Sequence, residues 1–135
     1  MSRIRNCTYT SWIASIGGKR MEKYRIKNMK ELMAISFTTK GIYAQIKKKY
    51  ALTYEELFIL TFILENKHSI YNVKDIIKAS KFKPYYITKA MQKLKDYGFL
   101  TKKRNEHDER TVIIEVSEEQ YTKIEALFNE IEALL

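Results

Sequence analysis

Apolar side chains recur at helical spacing from about Asn28 onward. One seam with alternating steps of three and four residues is formed by Leu32, Ile35, Thr39, Ile42 and Ile46. This spacing predicts a helix that begins near Asn28. The helix is expected to end near the basic run at 47–49, because cations suit the negative end of a helix dipole.

Two shorter helices are expected in the next thirty or so residues. Thr53 and Glu56 have the spacing of a capping box, which predicts a helix start before the almost uniformly apolar segment 57–64. A helix that is apolar all round belongs at the centre of a fold. A very short strand is predicted at 69–71, followed by a short helix over 73–79.

A further helix is predicted between Pro84 and Gly98. Proline is tolerated in the first turn of a helix, and glycine commonly follows the last turn. The core face expected from the helical period consists of Ile87, Ala90, Met91 and Leu94.

A hairpin and a last helix complete the chain. The strands are predicted at about 99–104 and 110–116, and Ser117 with Gln120 forms a second capping box. The fold class is therefore mainly α with a small β-hairpin (α+β). A helix-turn-helix followed by a hairpin is a winged helix, in which the second helix of the pair enters the DNA major groove.

The terminal helices have two interpretations. Their seams can pack within the domain, or they can pair with a second copy. In a chain of 135 residues, long terminal helices have little to lie against, and a two-fold dimer would place two reading helices about one DNA turn apart. We therefore predict a homodimer formed through the terminal helices, with its seam at Leu32, Ile35, Ile42 and Ile46.

The domain organisation follows from the start of this periodicity. Residues 1–20 show no sustained period, so they are interpreted as a flexible N-terminal extension or as the product of a mis-annotated start, with translation beginning at Met21 or Met29. Residues 21–135 are predicted to form one winged-helix domain for DNA binding and dimerisation.

Several function classes are disfavoured by composition. A single cysteine, Cys7, excludes an internal disulfide framework and a multi-thiolate metal site. No apolar run approaches the roughly 18–20 residues that cross a bilayer, and a secretory signal is not evident, so a cytoplasmic protein is expected. His107 lies beside acids, but adjacent residues of a tight turn diverge, and no nucleophile with a base is evident. Neither enzymatic activity nor a metal or cofactor is expected.

The charge is unevenly distributed. The net charge is +9, yet residues 74–110 hold 11 Lys and Arg against 5 acids, whereas residues 111–135 hold 1 against 6. This asymmetry predicts one face for a polyanion. The alternative is a solvated, lysine-rich surface.

The outer face of the helix after Pro84 carries the candidate DNA-contacting residues Tyr85, Tyr86, Thr88, Lys89, Gln92 and Lys93. Glutamine can pair with adenine, threonine can contact a thymine methyl, and lysine and tyrosine can contact phosphates. The face lacks arginine, which disfavours bidentate contacts to guanine and predicts modest discrimination toward A·T-rich sites. The alternative is an ordinary amphipathic helix with a solvated face.

The hairpin carries the second set of candidates, Lys103, Arg104, Asp108, Glu109 and Arg110. We expect the cations to contact the phosphate backbone. A carboxylate of the tip is expected to orient a neighbouring arginine, which reduces the rotamer freedom lost on binding. The stem of Arg110, in step with Val112, is expected along the core side of the sheet. The alternative is a surface salt bridge contributing about 0–1 kcal/mol.

Two other functions fit the same residues. An RNA-binding module would use Tyr85 and Tyr86 as stacking platforms. A protein-binding adaptor would use the helix grooves without nucleic acid.

Three segments carry a family resemblance: YEEL at 54–57, FKPYYITKAMQKLK at 82–95 and KKRNEHDERTV at 102–112. From about Ile26 to the C-terminus, the chain resembles the SarA family, staphylococcal accessory regulators among the MarR-like winged helices. The resemblance implies a homodimeric regulator of virulence genes that binds A·T-rich promoter DNA. It also implies functional roles for the two wing arginines and the two acids between them. Some relatives carry a redox-responsive cysteine where this chain has Met29, so thiol sensing at that position is not expected.

Overall fold

A computed structural model describes residues 25–135, apart from the side chains of residues 108–110. In this part of the chain the elements are, in order, α1 (Met29–Tyr50), α2 (Tyr54–Asn66), β1 (Ile70–Asn72), α3 (Val73–Ser80), α4 (Pro84–Asp96), β2 (Thr101–Asn105), β3 (Asp108–Glu115) and α5 (Glu118–Glu132). The predicted element order and the α+β class are confirmed. The extension predicted at 1–20 lies outside the described residues.

The chain divides into two units, Met1–Ala44 and Gln45–Leu135, with the boundary inside α1. In the described part of the first unit, α1 begins after Asn28, whose Oδ1 accepts a hydrogen bond from the Glu31 amide at 2.8 Å. This bond satisfies one of the amides that lack a partner within the helix. None of the helices between residues 25 and 135 is long and apolar enough to span a membrane.

Within the second unit, α2 is the central helix, as its apolar sequence predicts. Its capping box is formed: the Glu56 amide donates to Thr53 Oγ1 at 3.3 Å, and the Thr53 amide donates to Glu56 Oε1 at 2.9 Å. Ile59, Leu60 and Ile63 are fully buried. The N-terminal amides of α2 are therefore satisfied, and the helix is buried on several sides, as expected for a central helix against which other elements pack.

The sheet has three antiparallel strands in the order β1-β3-β2, so the predicted hairpin is joined by the short first strand. Tyr71 of β1 pairs with Ile114 of β3, and both side chains are buried. On the other side, Lys103 of β2 pairs with Ile113, and the register shifts between Arg104 and Asn105. Pairing to β3 therefore ties the residues that precede α3 to the base of the hairpin.

The strand boundaries differ from the predicted 99–104 and 110–116. β2 begins only at Thr101, because Gly98 and Phe99 still belong to the turn that ends α4. β3 begins earlier than predicted, which leaves a two-residue turn, and Asn105 Oδ1 accepts a hydrogen bond from the His107 amide at 2.9 Å. This side-chain turn shortens the tip of the hairpin.

The inner face of α4 is buried as the helical period predicts, at Ile87, Ala90, Met91 and Leu94. The helix ends in a Schellman motif. Gly98 has a φ of 85° and donates to Lys95 O at 2.9 Å, and the Phe99 amide donates to Leu94 O at 3.0 Å. Packing on one side and this termination leave the opposite face of α4 toward solvent.

Candidate nucleic-acid interface

The turn between α3 and α4 sets the direction of α4. Lys81 adopts a left-handed conformation with a φ of 61°, and Ser80 Oγ accepts a hydrogen bond from the Phe82 amide at 3.0 Å. Pro84 then occupies the first turn of α4, where a missing amide proton leaves no acceptor unsatisfied. The two helices therefore form the helix-turn-helix that the sequence predicts.

The outer face of α4 is exposed at the candidate residues Tyr85, Tyr86, Thr88, Lys89 and Gln92. The rings of Tyr85 and Tyr86 meet edge to face with centroids 5.5 Å apart. Lys89 Nζ lies 5.9 Å from the Tyr85 ring centroid, one helical turn away. This face thus offers hydroxyl groups, an ammonium and open aromatic surface to a partner.

Gln92 connects α4 to the hairpin. Lys102 Nζ donates to Gln92 Oε1 at 3.4 Å, and Gln92 Nε2 donates to Asp96 Oδ1 at 3.1 Å. The ammonium can only donate and the carboxylate can only accept, so these partners fix which end of the amide faces each. The Gln92–Asp96 spacing of four residues was available from sequence, but the contact with Lys102 depends on the tertiary fold.

The ammonium of Lys93 contacts a backbone carbonyl and a carboxylate that both lie outside α4. Lys93 Nζ donates to the Ala51 carbonyl at 2.7 Å and lies 3.4 Å from Glu56 Oε1. The sequence prediction placed Lys93 at the edge of a phosphate-contacting face. No local sequence signal indicates Ala51 as its acceptor, since the two residues are 42 positions apart.

Cations also line the hairpin. Lys103 Nζ forms a salt bridge with Glu115 Oε1 at 2.8 Å, and this hydrogen bond, with the negative charge of Glu115, raises the pKa of Lys103. Arg104 is exposed and pairs across the strands with Val112. The side chains of Asp108, Glu109 and Arg110 lie outside the described residues, so the orientation of an arginine by these acids stays a prediction.

The alternation of buried and exposed positions changes toward the tip of β3. Ile114 is buried, but Val112 is 36% exposed and Thr111 is buried. The strict alternation that predicted a core-side course for the Arg110 stem is therefore not kept at Val112. The register shift opposite this region, between Arg104 and Asn105, is the local irregularity that accompanies the change.

The predicted dimer seam divides into exposed and buried parts. Leu32 and Ile35 are 39% and 43% exposed and Ile42 is half-buried, whereas Ile46 is 3% exposed in the single chain. Ile46 thus belongs to the core of the second unit. The remaining three positions leave an apolar stripe along α1 that is available to a second copy.

No group of three or more His, Cys, Asp or Glu side chains that could hold a metal ion occurs in the part of the chain that the structure describes. The candidate surface is instead built of exposed aromatic, amide and cationic groups on α4 and the hairpin. Such groups suit a polyanion with stackable or hydrogen-bonding edges.

The helix-turn-helix and the sheet define a winged-helix protein. Reduced AbfR, in a solved structure bound to DNA, superposes with a TM-score of 0.64 at 19% identity, covering 77% of this chain and 71% of that one. MarR superposes with a TM-score of 0.61 at 17% identity, covering 77% and 74% of the two chains. At these identities the likeness establishes the fold.

Sequence comparison narrows the class to a family. Residues 41–127 match the family model described as "Transcriptional regulator SarA/Rot". The HTH-type transcriptional regulator SarR of Staphylococcus aureus (strain USA300) is 44% identical over 108 residues, which cover 80% of this chain and 94% of that protein. Transcriptional regulator SarA of S. aureus (strain Newman) is 38% identical over 107 residues, covering 79% and 86%. The chain belongs to the SarA/Rot family of transcriptional regulators, which are not enzymes, and the resemblance in the sequence is confirmed.

Proposed function

We propose that this protein is a homodimeric, cytoplasmic transcription regulator that binds A·T-rich promoter DNA and controls virulence genes. In this proposal α4 enters the major groove and the β2–β3 hairpin contacts the flanking phosphates. The observation that carries it is the contact between Lys102 and Gln92. It joins the cationic strand of the hairpin to the exposed face of α4, so both belong to one surface.

The character of that surface favours duplex DNA. Gln92 and Thr88 carry the groups that recognise adenine and thymine in the major groove, while Lys89 and Tyr85 suit phosphate oxygens. Arg104 is exposed on the hairpin, where a guanidinium can meet phosphates or a narrow minor groove. The DNA in the AbfR structure and the names of the relatives SarR and SarA support this assignment.

The assignment is tested by fluorescence anisotropy across a salt series, with an A·T-rich duplex and a duplex of the same length in which the sequence of that site is scrambled. Wild type is expected to lose affinity steeply as salt rises, because bound cations release counterions from the phosphates. We expect Arg110→Ala to weaken binding to both duplexes by about tenfold or more and to lower the salt slope of the dimer by about two, one for each subunit. Gln92→Ala should change the ratio between the two duplexes by about tenfold, with less effect on binding to the scrambled one.

Lys30→Ala is a matched control, since it removes one cation from α1 rather than from the proposed surface. It should leave affinity within about twofold of wild type. If Arg110→Ala binds the duplexes with the same affinity as wild type at physiological salt, the hairpin does not contact DNA as proposed.

Exposure of Tyr85 and Tyr86, at 66% and 50%, also permits base stacking, so single-stranded RNA is the second candidate ligand. Competition between duplex DNA and RNA of the same sequence separates the two. Preference for RNA, with affinity lost in Tyr85→Ala, would replace DNA as the ligand. If the protein binds no nucleic acid but binds a protein partner with an affinity that salt does not change, it is a protein-binding adaptor.

A further inference from the structure

Three helix ends meet at the ammonium of Lys93. Its Nζ donates to Ala51 O at 2.7 Å, lies 3.4 Å from Glu56 Oε1, and lies 5.6 Å from the centroid of the Tyr97 ring. The Glu56 side chain is only 5% exposed. A buried carboxylate is costly without a cation, so Lys93 is strongly held in this position.

The acceptor, Ala51, terminates α1. Its amide donates to Lys47 O at 2.8 Å, and its φ of 58° is a left-handed value that side chains other than glycine rarely adopt. The Tyr97 hydroxyl donates to the same carbonyl at 3.4 Å. Two groups from the C-terminal part of α4 and the residue after it therefore hold the backbone turn that follows α1.

Glu56 links the same point to α2. Its carboxylate accepts the Thr53 amide as part of the capping box, so the Lys93 ammonium reaches the first turn of α2 as well as the end of α1. The ammonium is thus already hydrogen-bonded to one acceptor and paired with one carboxylate within the chain. Lys93 is therefore poorly placed to serve as a phosphate contact, the role that its position on α4 suggests from sequence.

We propose that Lys93 is a positioning residue that fixes the angle between α4 and the C-terminal end of α1, and thereby sets the separation of the two α4 helices in the dimer. The inference rests on the proposed function, in which α1 carries the dimer seam and α4 contacts DNA. In this proposal α1, a single helix over Met29–Tyr50, is the connection between the seam and the joint at Ala51.

The test uses duplexes with two A·T-rich half-sites whose centres are separated by about one helical turn, or by 5 bp more, which turns the second site to the opposite side of the helix. Wild type is expected to lose about tenfold or more in affinity on the longer spacer. Lys93→Met, which loosens the joint, should lose less than about threefold. Its salt slope should remain that of wild type, because no phosphate contact is removed.

Glu56→Gln provides a second variant that does not depend on removing a cation. Glutamine retains the capping box but not the ion pair, so this variant should show the same relaxed spacer dependence. Lys95→Met removes one exposed cation from the same helix and serves as the control, with the sharp spacer dependence of wild type. Thermal unfolding of each variant confirms that it is folded.

The inference is overturned if Lys93→Met keeps the tenfold spacer penalty and lowers the salt slope of the dimer by about two, which is the behaviour of one phosphate contact in each subunit. Unchanged spacer dependence in Glu56→Gln would also overturn it. A wild-type protein that binds no duplex, or binds both spacers equally, would instead contradict the proposed function itself.

Discussion

Tyr71 and Tyr121 show how single hydroxyl groups join elements that are distant in sequence. Their hydroxyl oxygens lie 2.5 Å apart. The Tyr71 hydroxyl donates to the Ile63 carbonyl, and the His68 carbonyl oxygen lies within hydrogen-bond distance of the Tyr121 hydroxyl. Burial is the main cause that raises the pKa of both phenols, and the shared hydrogen bond raises that of Tyr121 further. The pair ties α5 and β1 to the end of α2, a contact that residue spacing alone does not indicate.

This pair makes stability depend on pH in the alkaline range. The folded protein holds the phenol protons more tightly than the unfolded chain, so the stabilisation is complete below the unfolded pKa of about 10 and is lost as pH rises above it. The free energy of unfolding, measured with urea from pH 8 to 11, should fall more steeply for wild type than for Tyr121→Phe. At neutral pH, Tyr121→Phe should cost about 1 kcal/mol.

Tyr86→Phe is the matched control, because the Tyr86 side chain is 50% exposed. It should reproduce the wild-type pH dependence. If the wild-type and Tyr121→Phe curves run parallel from pH 8 to 11, the hydroxyl pair does not hold its protons in the way described.

At the scale of elements, the helices follow local signals and the sheet does not. The capping boxes that end at Glu56 and Gln120 predicted the starts of α2 and α5 correctly, and Gly98 predicted the end of α4. These signals can be found in sequence because their hydrogen bonds join residues only a few positions apart. The pairing of β1 with β3 joins residues that are distant in sequence, such as Tyr71 and Ile114, so it depends on the packing of the whole core. The contact of Lys93 with Ala51 was not predicted for the same reason.

Two glycines in helical surroundings should respond to alanine with opposite signs. Gly98 has a left-handed φ, and an added Cβ would lie 3.0 Å from Lys123 Nζ, which donates to Tyr97 O at 2.6 Å. Gly98→Ala should destabilise the protein by about 1–2 kcal/mol. At Gly41, inside α1, an added Cβ meets no atom within 4 Å, so Gly41→Ala should stabilise by about 0.5–1 kcal/mol.

Chemical denaturation of both glycine variants at one protein concentration provides the comparison. A stabilising effect of Gly98→Ala would contradict the helix termination described here. A destabilising effect of Gly41→Ala would show that the open space beside α1 is filled in solution, as it would be in a closely packed dimer.

At the scale of the whole molecule, the charge of the chain is separated along the sequence. The segment 74–110, which holds α4 and the start of the hairpin, is strongly basic, whereas residues 111–135 hold 6 acids and 1 cation. A basic segment favours approach to a polyanion, and an acidic segment disfavours it. This division follows from the residue types alone, and the single face for a polyanion stays a prediction.

The proposed dimer makes a prediction that joins α1 to DNA binding. Leu32→Glu with Ile35→Glu places two carboxylates on the apolar stripe of α1, and burying them against a second copy would be costly. The double variant should elute from a sizing column as a monomer and lose about tenfold or more in DNA affinity. Its salt slope should fall to about half of the wild-type value, because one subunit supplies half of the phosphate contacts.

Ala44→Glu is the control on the same helix, since Ala44 is exposed and faces away from the apolar stripe. It should retain the wild-type elution volume and salt slope. Elution of the Leu32→Glu/Ile35→Glu variant as a dimer would move the interface away from α1. Because Lys93 can set the spacing of two α4 helices only through α1, the same result would also remove the basis for a spacer effect of Lys93→Met, so the two experiments constrain each other.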